Sequence, residues 1–446
     1  MASDDLRKRF ERAGNEFVPS PGSLDAVKSR ARKRTLRGRL GLGLAALLLI
    51  GGVAVGTTIL LSDEAETGAS ESDAPFVSDG LVEAGDVAYV GSFELPESAN
   101  EGEDFGFSEG AIAYNPAGEG SLFITGANPN QMVAEISIPV LRAHEGERGG
   151  LFPAEVIQPL TDITEGRGLE LIGSRSVGGL DDFRIGGLEV IDGPDGPRLH
   201  WTAWQAQNEA PNDVPGHGHS SLDLSDPDVE GPWFLGEFSQ LRTSGYLFDV
   251  PTGFADVALG GNSVVSGYQI GSASATSQGP SFFAFSPPDS LSALERLDVT
   301  ELANFDFPDE QSASFAEDVE VTGADWITTS DNRHAVLVAG NMTRFDNNNN
   351  NCGLGAEAEV DSTGPFMALY DPSDLAAVAA GLRLPSEVEP YEIFSIEDDV
   401  IAVCGEQISG ISYDAANGRL FVAQIRVSAN SNLFTARPVI HVFSVR

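Results

Sequence analysis

The sequence predicts an all-β fold, a β-propeller with five blades favoured, preceded by one transmembrane α-helix. Three observations predict it: an uncharged segment at Leu40–Ser62, short apolar runs broken by Gly, Pro, Asn and Asp from about residue 86, and a recurring hairpin motif. They divide the chain into four parts. These are a basic cytoplasmic tail (1–39), the helix (40–62), a flexible acidic stalk (63–85) and an extracytoplasmic propeller domain (86–446).

The segment Leu40–Ser62 is long enough to cross a bilayer, since twenty-three helical residues span about 34 Å. Arg30, Arg37 and Arg39 are among the basic residues before it, and acidic residues follow it. The positive-inside rule therefore places the N-terminus in the cytoplasm and the C-terminal domain outside. The alternative is a cleaved signal peptide, but the basic region is long for one and no Ala-x-Ala site follows closely.

Charge is distributed very unevenly along the chain. Its formal net charge is −41, whereas residues 1–39 are net basic and no Lys occurs after Lys33. An acidic, Lys-free outer region repels phosphate, so nucleic acid is not an expected partner. It also lacks the Lys of a Walker A loop or a Schiff-base enzyme. Either adaptation to a saline medium or attraction of cationic ligands explains the acidity.

A strand, a polar turn and a second strand recur with a period of roughly seventy residues. The clearest copies are Gly110–Ile124 and Gly410–Val422, which share an aromatic residue before the turn and a Leu-Phe pair after it. Three weaker copies lie between them, at 187–201, 255–267 and 324–338.

A third and a fourth strand follow each hairpin, except that the chain ends before the last unit receives its fourth. In the second unit the third strand is predicted at 221–227, and in the third unit the first and fourth strands are predicted at 255–259 and 294–299. The segment Val87–Phe93, which precedes the first hairpin, is the missing strand. Four-stranded units that cannot bury both faces alone are typical of propeller blades. Six or seven blades, or a β-sandwich, are the alternatives.

The segments Gly110–Gly126, Asp371–Gly381 and Gly410–Val422 resemble signatures of a group of uncharacterised bacterial secreted or membrane-anchored propeller-like proteins. The resemblance covers roughly residues 86–446. It implies a bacterial origin and the propeller fold, and it implies no activity or catalytic residue.

Two sets of residues in the outer domain indicate cross-linking or metal chemistry. Cys352 and Cys404 are the only cysteines, and an even pair in an oxidising compartment predicts a disulfide, with two free thiols as the alternative. His217 and His219 share a face of an extended segment and, with His200, form a candidate site for zinc or copper. A Gly-rich polar loop without metal is the alternative.

Carboxylates recur just before the predicted inner strands, where they would ring the tunnel mouth. They are Glu109, Asp181, Asp182, Asp256, Asp325 and Glu406. Two such acids would serve glycoside hydrolysis, and several would bind calcium or another divalent cation. Because acidic residues are frequent throughout this domain, the recurrence has low specificity.

No catalytic motif stands out from this background, so the sequence favours a non-enzymatic binding or interaction module. Its ligand would be an extracytoplasmic protein or a saccharide, and no cofactor is certain. The alternatives are a glycoside hydrolase-like enzyme that uses the tunnel-mouth acids and a structural ectodomain.

Overall fold

A computed structural model describes residues 78–446 apart from several internal segments. The segments left out are 97, 99–104, 107, 109, 128–131, 145–148, 173–182, 206–213, 269–278, 289–290, 306–309, 316–318, 345–361, 402–406 and 428–436. The predicted tail, membrane helix and most of the stalk therefore lie outside the described residues. Within them, no helix has the length and apolar character needed to span a membrane.

The described residues form twenty-one strands in five sheets. In chain order these are β1 (Val87–Glu94), β2 (Ile112–Asn115), β3 (Ser121–Thr125), β4 (Val133–Ser137), β5 (Val156–Thr161), β6 (Phe183–Gly193), β7 (Gly196–Gln205), β8 (His217–Ser220), β9 (Glu230–Leu235), β10 (Tyr246–Asp249), β11 (Val264–Gly267), β12 (Phe282–Phe285), β13 (Arg296–Leu297), β14 (Thr300–Ala303), β15 (Val319–Thr328), β16 (His334–Arg344), β17 (Ser362–Tyr370), β18 (Glu392–Ser395), β19 (Gln407–Asp414), β20 (Arg419–Val427) and β21 (Arg437–Val445). The described helices are α1 (Gln240–Thr243), α2 (Thr252–Ala258) and α3 (Pro372–Ala379).

Each sheet is one blade of a five-bladed propeller, which confirms the predicted architecture. Blade 1 is β2–β5, blade 2 is β6–β9 with β13 added in parallel at its edge, and blade 3 is β10, β11, β12 and β14. Blade 4 is β15–β18. Blade 5 is β19–β21 with β1 as its outer strand, so the N-terminal strand completes the last blade as predicted.

The inner strands β2, β6, β10, β15 and β19 contact one another in a closed ring around the axis. Glycine permits this close approach: a Cβ at Gly410 would lie 2.5 Å from the carbonyl oxygen of Gly110, and one at Gly187 would lie 2.9 Å from the backbone nitrogen of Leu247. Hydrogen bonds also join neighbouring blades. The Asn341 side chain of blade 4 bonds both the nitrogen and the carbonyl oxygen of Ile408 in blade 5.

Blade interfaces form the hydrophobic core, since each sheet buries both faces against its neighbours. Buried aromatic side chains are numerous there: Trp201 packs between blades 1 and 2, and Trp233 packs between blades 2 and 3. Strands buried on both faces lose the alternation of polar and apolar residues, which makes their limits hard to read from sequence.

Three segment predictions in blades 2 and 3 were wrong. The expected inner strand at 255–259 is the helix α2, and β10 is the inner strand. Within the expected fourth strand at 294–299, only Arg296–Leu297 form a strand, β13, and it joins blade 2; β14, which follows this segment, is the fourth strand of blade 3. In blade 2 the third strand is His217–Ser220, not the following 221–227. The four residues of β8 are all buried, so the alternative of a polar loop at His217–His219 is also wrong.

Candidate ligand pocket between blades 2 and 3

A row of four ionisable side chains crosses blade 2. The strand registers pair Glu189 of β6 with His200 of β7, His200 with His219 of β8, and His219 with Glu230 of β9. Directly paired residues of an antiparallel sheet point to the same face. The four side chains therefore form one Glu-His-His-Glu row, which runs from the propeller axis to the outer part of the blade and faces blade 3.

A pocket of about 250 Å³ opens on this row. On the blade 2 side it is lined by the β6–β7 turn, Arg198, His200, His219 and Glu230. Gly261, Ser263 and the segment 286–288 close it from blade 3. The pocket thus lies between two blades and depends on their packing.

The two imidazoles at the floor are in ring contact, with centroids 4.9 Å apart. His200 is 6% exposed and His219 is 5% exposed. Burial, with a smaller contribution from the neighbouring Arg198 guanidinium, lowers the pKa of His219 to about 4. Burial also lowers the pKa of His200 well below its ordinary value, with His219 adding to the effect. Both rings are therefore neutral at pH 7.

Arg198 orients His219 and is itself held by Asp228. Its Nε donates to Nδ1 of His219 at 3.3 Å, and its Nη1 donates to Oδ2 of Asp228 at 2.9 Å. Its Nη2 donates to the Asp228 carbonyl oxygen. With Nδ1 as an acceptor, the neutral His219 ring carries its proton on Nε2.

Two groups at the pocket have unused hydrogen-bonding capacity. Oε2 of Glu230 is buried, has no hydrogen-bond partner among the described residues and lies 4.0 Å from Nε2 of His219. The ring nitrogens of His200 make no hydrogen bond to another described residue. Buried polar groups without a partner are uncommon in native proteins and frequently mark a place for water or ligand.

The third predicted metal ligand, His217, lies on the same face of blade 2 but is engaged elsewhere. Its Nε2 lies 2.9 Å from Oγ of Ser266 in blade 3, and its ring contacts Phe285 edge-on. Burial lowers its pKa to about 3. Within the described part of the chain, no three His, Cys, Asp or Glu side chains are grouped to hold one metal ion. The metal site at His200, His217 and His219 stays a prediction.

Three carboxyl groups, those of Glu189, Asp249 and Asp325, lie on inner strands of the propeller. Burial raises the pKa of Glu189 and of Asp325 well above the usual range, and the negative charge of Asp249 adds to both shifts. Protein atoms surround Asp249 although its side chain reaches solvent. Its partial desolvation raises its pKa to about 6, with a further contribution from Asp192 at the pocket. These carboxyl groups are therefore close enough for each charge to disfavour ionisation of the next.

Of the six predicted tunnel-mouth acids, two are described. Asp325 lies within β15, and its two carboxylate oxygens accept hydrogen bonds from the backbone nitrogens of Trp326 and Tyr413. It thus links blade 4 to blade 5. Asp256 is exposed on α2 and does not precede an inner strand. Glu109, Asp181, Asp182 and Glu406 lie outside the described residues, as do Cys352 and Cys404 of the predicted disulfide.

Sequence reasoning selected His200 and His219 but missed their partners. Arg198, Glu189 and Glu230 belong to the same row or pocket. The signal in the sequence that could have found Glu189 was the spacing across the β6–β7 turn. Once the hairpin register is known, that spacing pairs residue 189 with residue 200. The position of Glu230 depended on the correct limits of β8 and β9.

No family model and no curated protein matches this chain. Among solved structures, it is similar to a protein of unknown function from Dyadobacter fermentans DSM 18053, with 11% identity, a TM-score of 0.35 and coverage of 81% of this chain and 99% of the other. It is also similar to the alpha-L-arabinanase of Cellvibrio cellulosa, with 9% identity, a TM-score of 0.38 and coverage of 75% and 90%.

A subtype N10 neuraminidase-like protein of A/little yellow-shouldered bat/Guatemala/060/2010 shows 8% identity and a TM-score of 0.36, with coverage of 80% of this chain and 98% of that one. These similarities concern the fold alone. The five-bladed arrangement itself is established by the strand pairing of this chain.

Proposed function

We propose that this protein is a membrane-anchored binding module whose propeller, outside the membrane, holds a small polar ligand between blades 2 and 3. The observation that supports the proposal is the pocket lined by His200, His219 and Glu230, in which polar atoms of His200 and Glu230 have no partner among the described residues. A rigid propeller holds such groups at fixed positions.

The anchor at Leu40–Ser62, the cytoplasmic N-terminus and the extracytoplasmic location belong to the proposal. They are supported by the uncharged segment and by the basic residues before it. The Cys352–Cys404 disulfide is part of the same proposal because it requires an oxidising compartment. A protein or saccharide ligand and a bound calcium or other divalent ion remain the partner classes to test.

The glycoside hydrolase alternative requires two carboxyl groups about 5–10 Å apart in an open pocket. Asp325 is already bonded to two backbone N–H groups, and Asp256 stands exposed on α2. The two described tunnel-mouth acids therefore give this alternative no additional support, and it depends on the four that lie outside the described residues.

A thermal-shift screen of the full-length protein in mild detergent tests the binding proposal. Probes are neutral mono- and disaccharides, small amines, amino acids and divalent ions. A ligand of the native state raises the melting temperature by mass action. We expect Ser286→Trp, which places a large ring at the pocket wall, to abolish the shift.

The matched control is Glu119→Trp, a substitution in the exposed β2–β3 turn of blade 1 that should leave the shift unchanged. A ligand shift of wild-type size in the Ser286→Trp protein would show that the ligand binds elsewhere. If no probe produces a shift in the wild-type protein, small-molecule binding at this pocket is rejected.

A further inference from the structure

The charges at the pocket between blades 2 and 3 are mainly negative. Asp192, Asp195 and Glu230 contribute three carboxylates, whereas Arg198 is the single Lys or Arg among the lining residues. Arg198 is already paired with Asp228, so its charge is largely balanced. The two lining imidazoles are neutral because burial disfavours their charged forms.

The pocket offers free hydrogen-bond acceptors beside the N–H groups of its two neutral imidazoles. The carboxylate oxygen Oε2 of Glu230 is buried and without a partner among the described residues. His200 is 94% buried and, as a neutral imidazole, has one acceptor nitrogen that no described residue occupies. The hydroxyl groups of Ser263 and Ser286 lie on the opposite wall. A ligand that engages both Oε2 of Glu230 and the acceptor nitrogen of His200 must therefore bring N–H or O–H donors.

The arrangement of lone pairs and N–H groups on the pocket's imidazole rings disfavours a metal ion. The Nδ1 lone pair of His219 is taken by Nε of Arg198 at 3.3 Å, which leaves the ring proton on Nε2, the atom that faces Glu230. An organic cation needs no converging set of lone pairs, because each of its N–H groups bonds a single acceptor.

We propose that the pocket binds a small organic ammonium, whose –NH₃⁺ group donates hydrogen bonds to Oε2 of Glu230 and to the free ring nitrogen of His200. This inference rests on the proposed binding function and adds the ligand class. The chain carries a net charge of −41, so its field also concentrates cations near the pocket mouth. An anionic ligand would face three carboxylates and is excluded on that ground.

Paired probes that differ only in charge test the ligand class. Full-length protein in mild detergent is titrated by calorimetry with 1,4-diaminobutane and with 1,4-butanediol, which have the same chain length. A charge-assisted hydrogen bond to a desolvated carboxylate strengthens binding by about tenfold over its neutral counterpart. We expect the diamine to bind at least about tenfold more tightly than the diol, with the difference decreasing as salt is added.

Three variants locate the interaction. Glu230→Gln keeps the size of the side chain and removes its charge, so it should weaken diamine binding by about tenfold. Asp195→Asn, in the exposed β6–β7 turn, should weaken it by about two- to threefold without any effect on folding. Glu119→Gln removes the same charge from the exposed β2–β3 turn of blade 1 and should leave binding unchanged within about twofold.

The outcomes separate the two proposals. Equal binding of diol and diamine, both blocked by Ser286→Trp, would keep the pocket as a binding site and overturn the ammonium class. Diamine binding that falls equally in Glu230→Gln and Glu119→Gln would show nonspecific attraction to the acidic surface and would also overturn it. Binding of neither probe would overturn the ammonium class whatever other ligand the pocket takes. If Glu230→Gln unfolds, the Asp195→Asn titration alone decides between specific and nonspecific binding.

Discussion

Blades 2 and 4 have an equivalent row of four paired positions, with an acid at each end, but use it differently. In blade 2 the row is Glu189-His200-His219-Glu230, and in blade 4 the equivalent row is Asp325-Leu337-Leu369-Glu392. Both rows have an acid on the inner strand and a Glu on the outer strand. They differ in the middle pair, which is imidazole in blade 2 and leucine in blade 4.

Hydrogen bonding explains the different use. In blade 4, Asp325 accepts backbone N–H groups of Trp326 and Tyr413, and Oε2 of Glu392 accepts the backbone N–H of Ala84. Leu337 and Leu369 between them are fully buried in apolar surroundings. In blade 2, Oε2 of Glu230 has no such partner among the described residues. One blade thus uses its acids to tie chain segments together, whereas the other leaves a polar row open to a pocket.

The largest effect is expected when blade 4 receives the middle residue of blade 2. Leu337→His places an imidazole among apolar side chains without a hydrogen-bond partner, which should lower the free energy of unfolding by about 3 kcal/mol. The measurement is the melting temperature and denaturant midpoint of the full-length protein at pH 7.5. Leu337→Met is the control, because a volume-conserving change should cost less than about 1.5 kcal/mol. Equal stability of the two variants would refute the comparison.

An intermediate effect is expected from the acid titration of blade 2. Because the folded-state pKa of His219, about 4, lies below the unfolded value of about 6.5, the unfolded chain takes up its proton first as the pH falls. The contribution of the neutral ring to the free energy of unfolding is fully present above pH 6.5. It is lost progressively toward pH 4, and the loss amounts to about 2 kcal/mol at pH 5. His219→Gln, which can still accept from Arg198, should remove this loss.

The test compares melting temperatures of the wild-type and His219→Gln proteins between pH 7.5 and pH 4. Their difference should shift in favour of the variant as the pH falls. The exposed variant Glu119→Gln should follow the wild-type curve throughout. Parallel curves for His219→Gln and wild type would contradict a buried neutral His219.

The smallest effect on stability is expected from the reverse exchange. His200→Leu gives blade 2 the middle residue of blade 4 and removes ring nitrogens that have no partner, so the free energy of unfolding at pH 7.5 should change by less than about 1 kcal/mol. Diamine binding should nevertheless weaken by about tenfold, since an acceptor is lost. A stability loss of several kcal/mol, or unchanged binding, would place His200 among structural residues rather than ligand contacts.

An element could be predicted from the sequence when the interactions that form it join residues close together in the chain. The β2–β3 and β19–β20 hairpins were predictable because turn residues and apolar runs lie within a few positions of one another. The strand at 255–259 was misassigned because Ala255, Val257 and Leu259 alternate like a strand although the segment is the helix α2. The histidines of β8 could be selected by type, but whether they lie in a loop or in a buried strand depends on contacts with Trp233 and Ser266.

Local patterns in the sequence predicted the β class, the repeat, the favoured number of blades and the closing role of β1, because each of these follows from short-range alternation and from counting. The site follows from registers and blade contacts between residues far apart in the chain. Glu189 meets His200 through a hairpin register, and Ser263 lines the same pocket as His200 from across a blade interface. Burial at that interface then lowers the pKa values of the histidines and leaves Glu230 without a partner among the described residues, and neither effect has a local signature in the sequence.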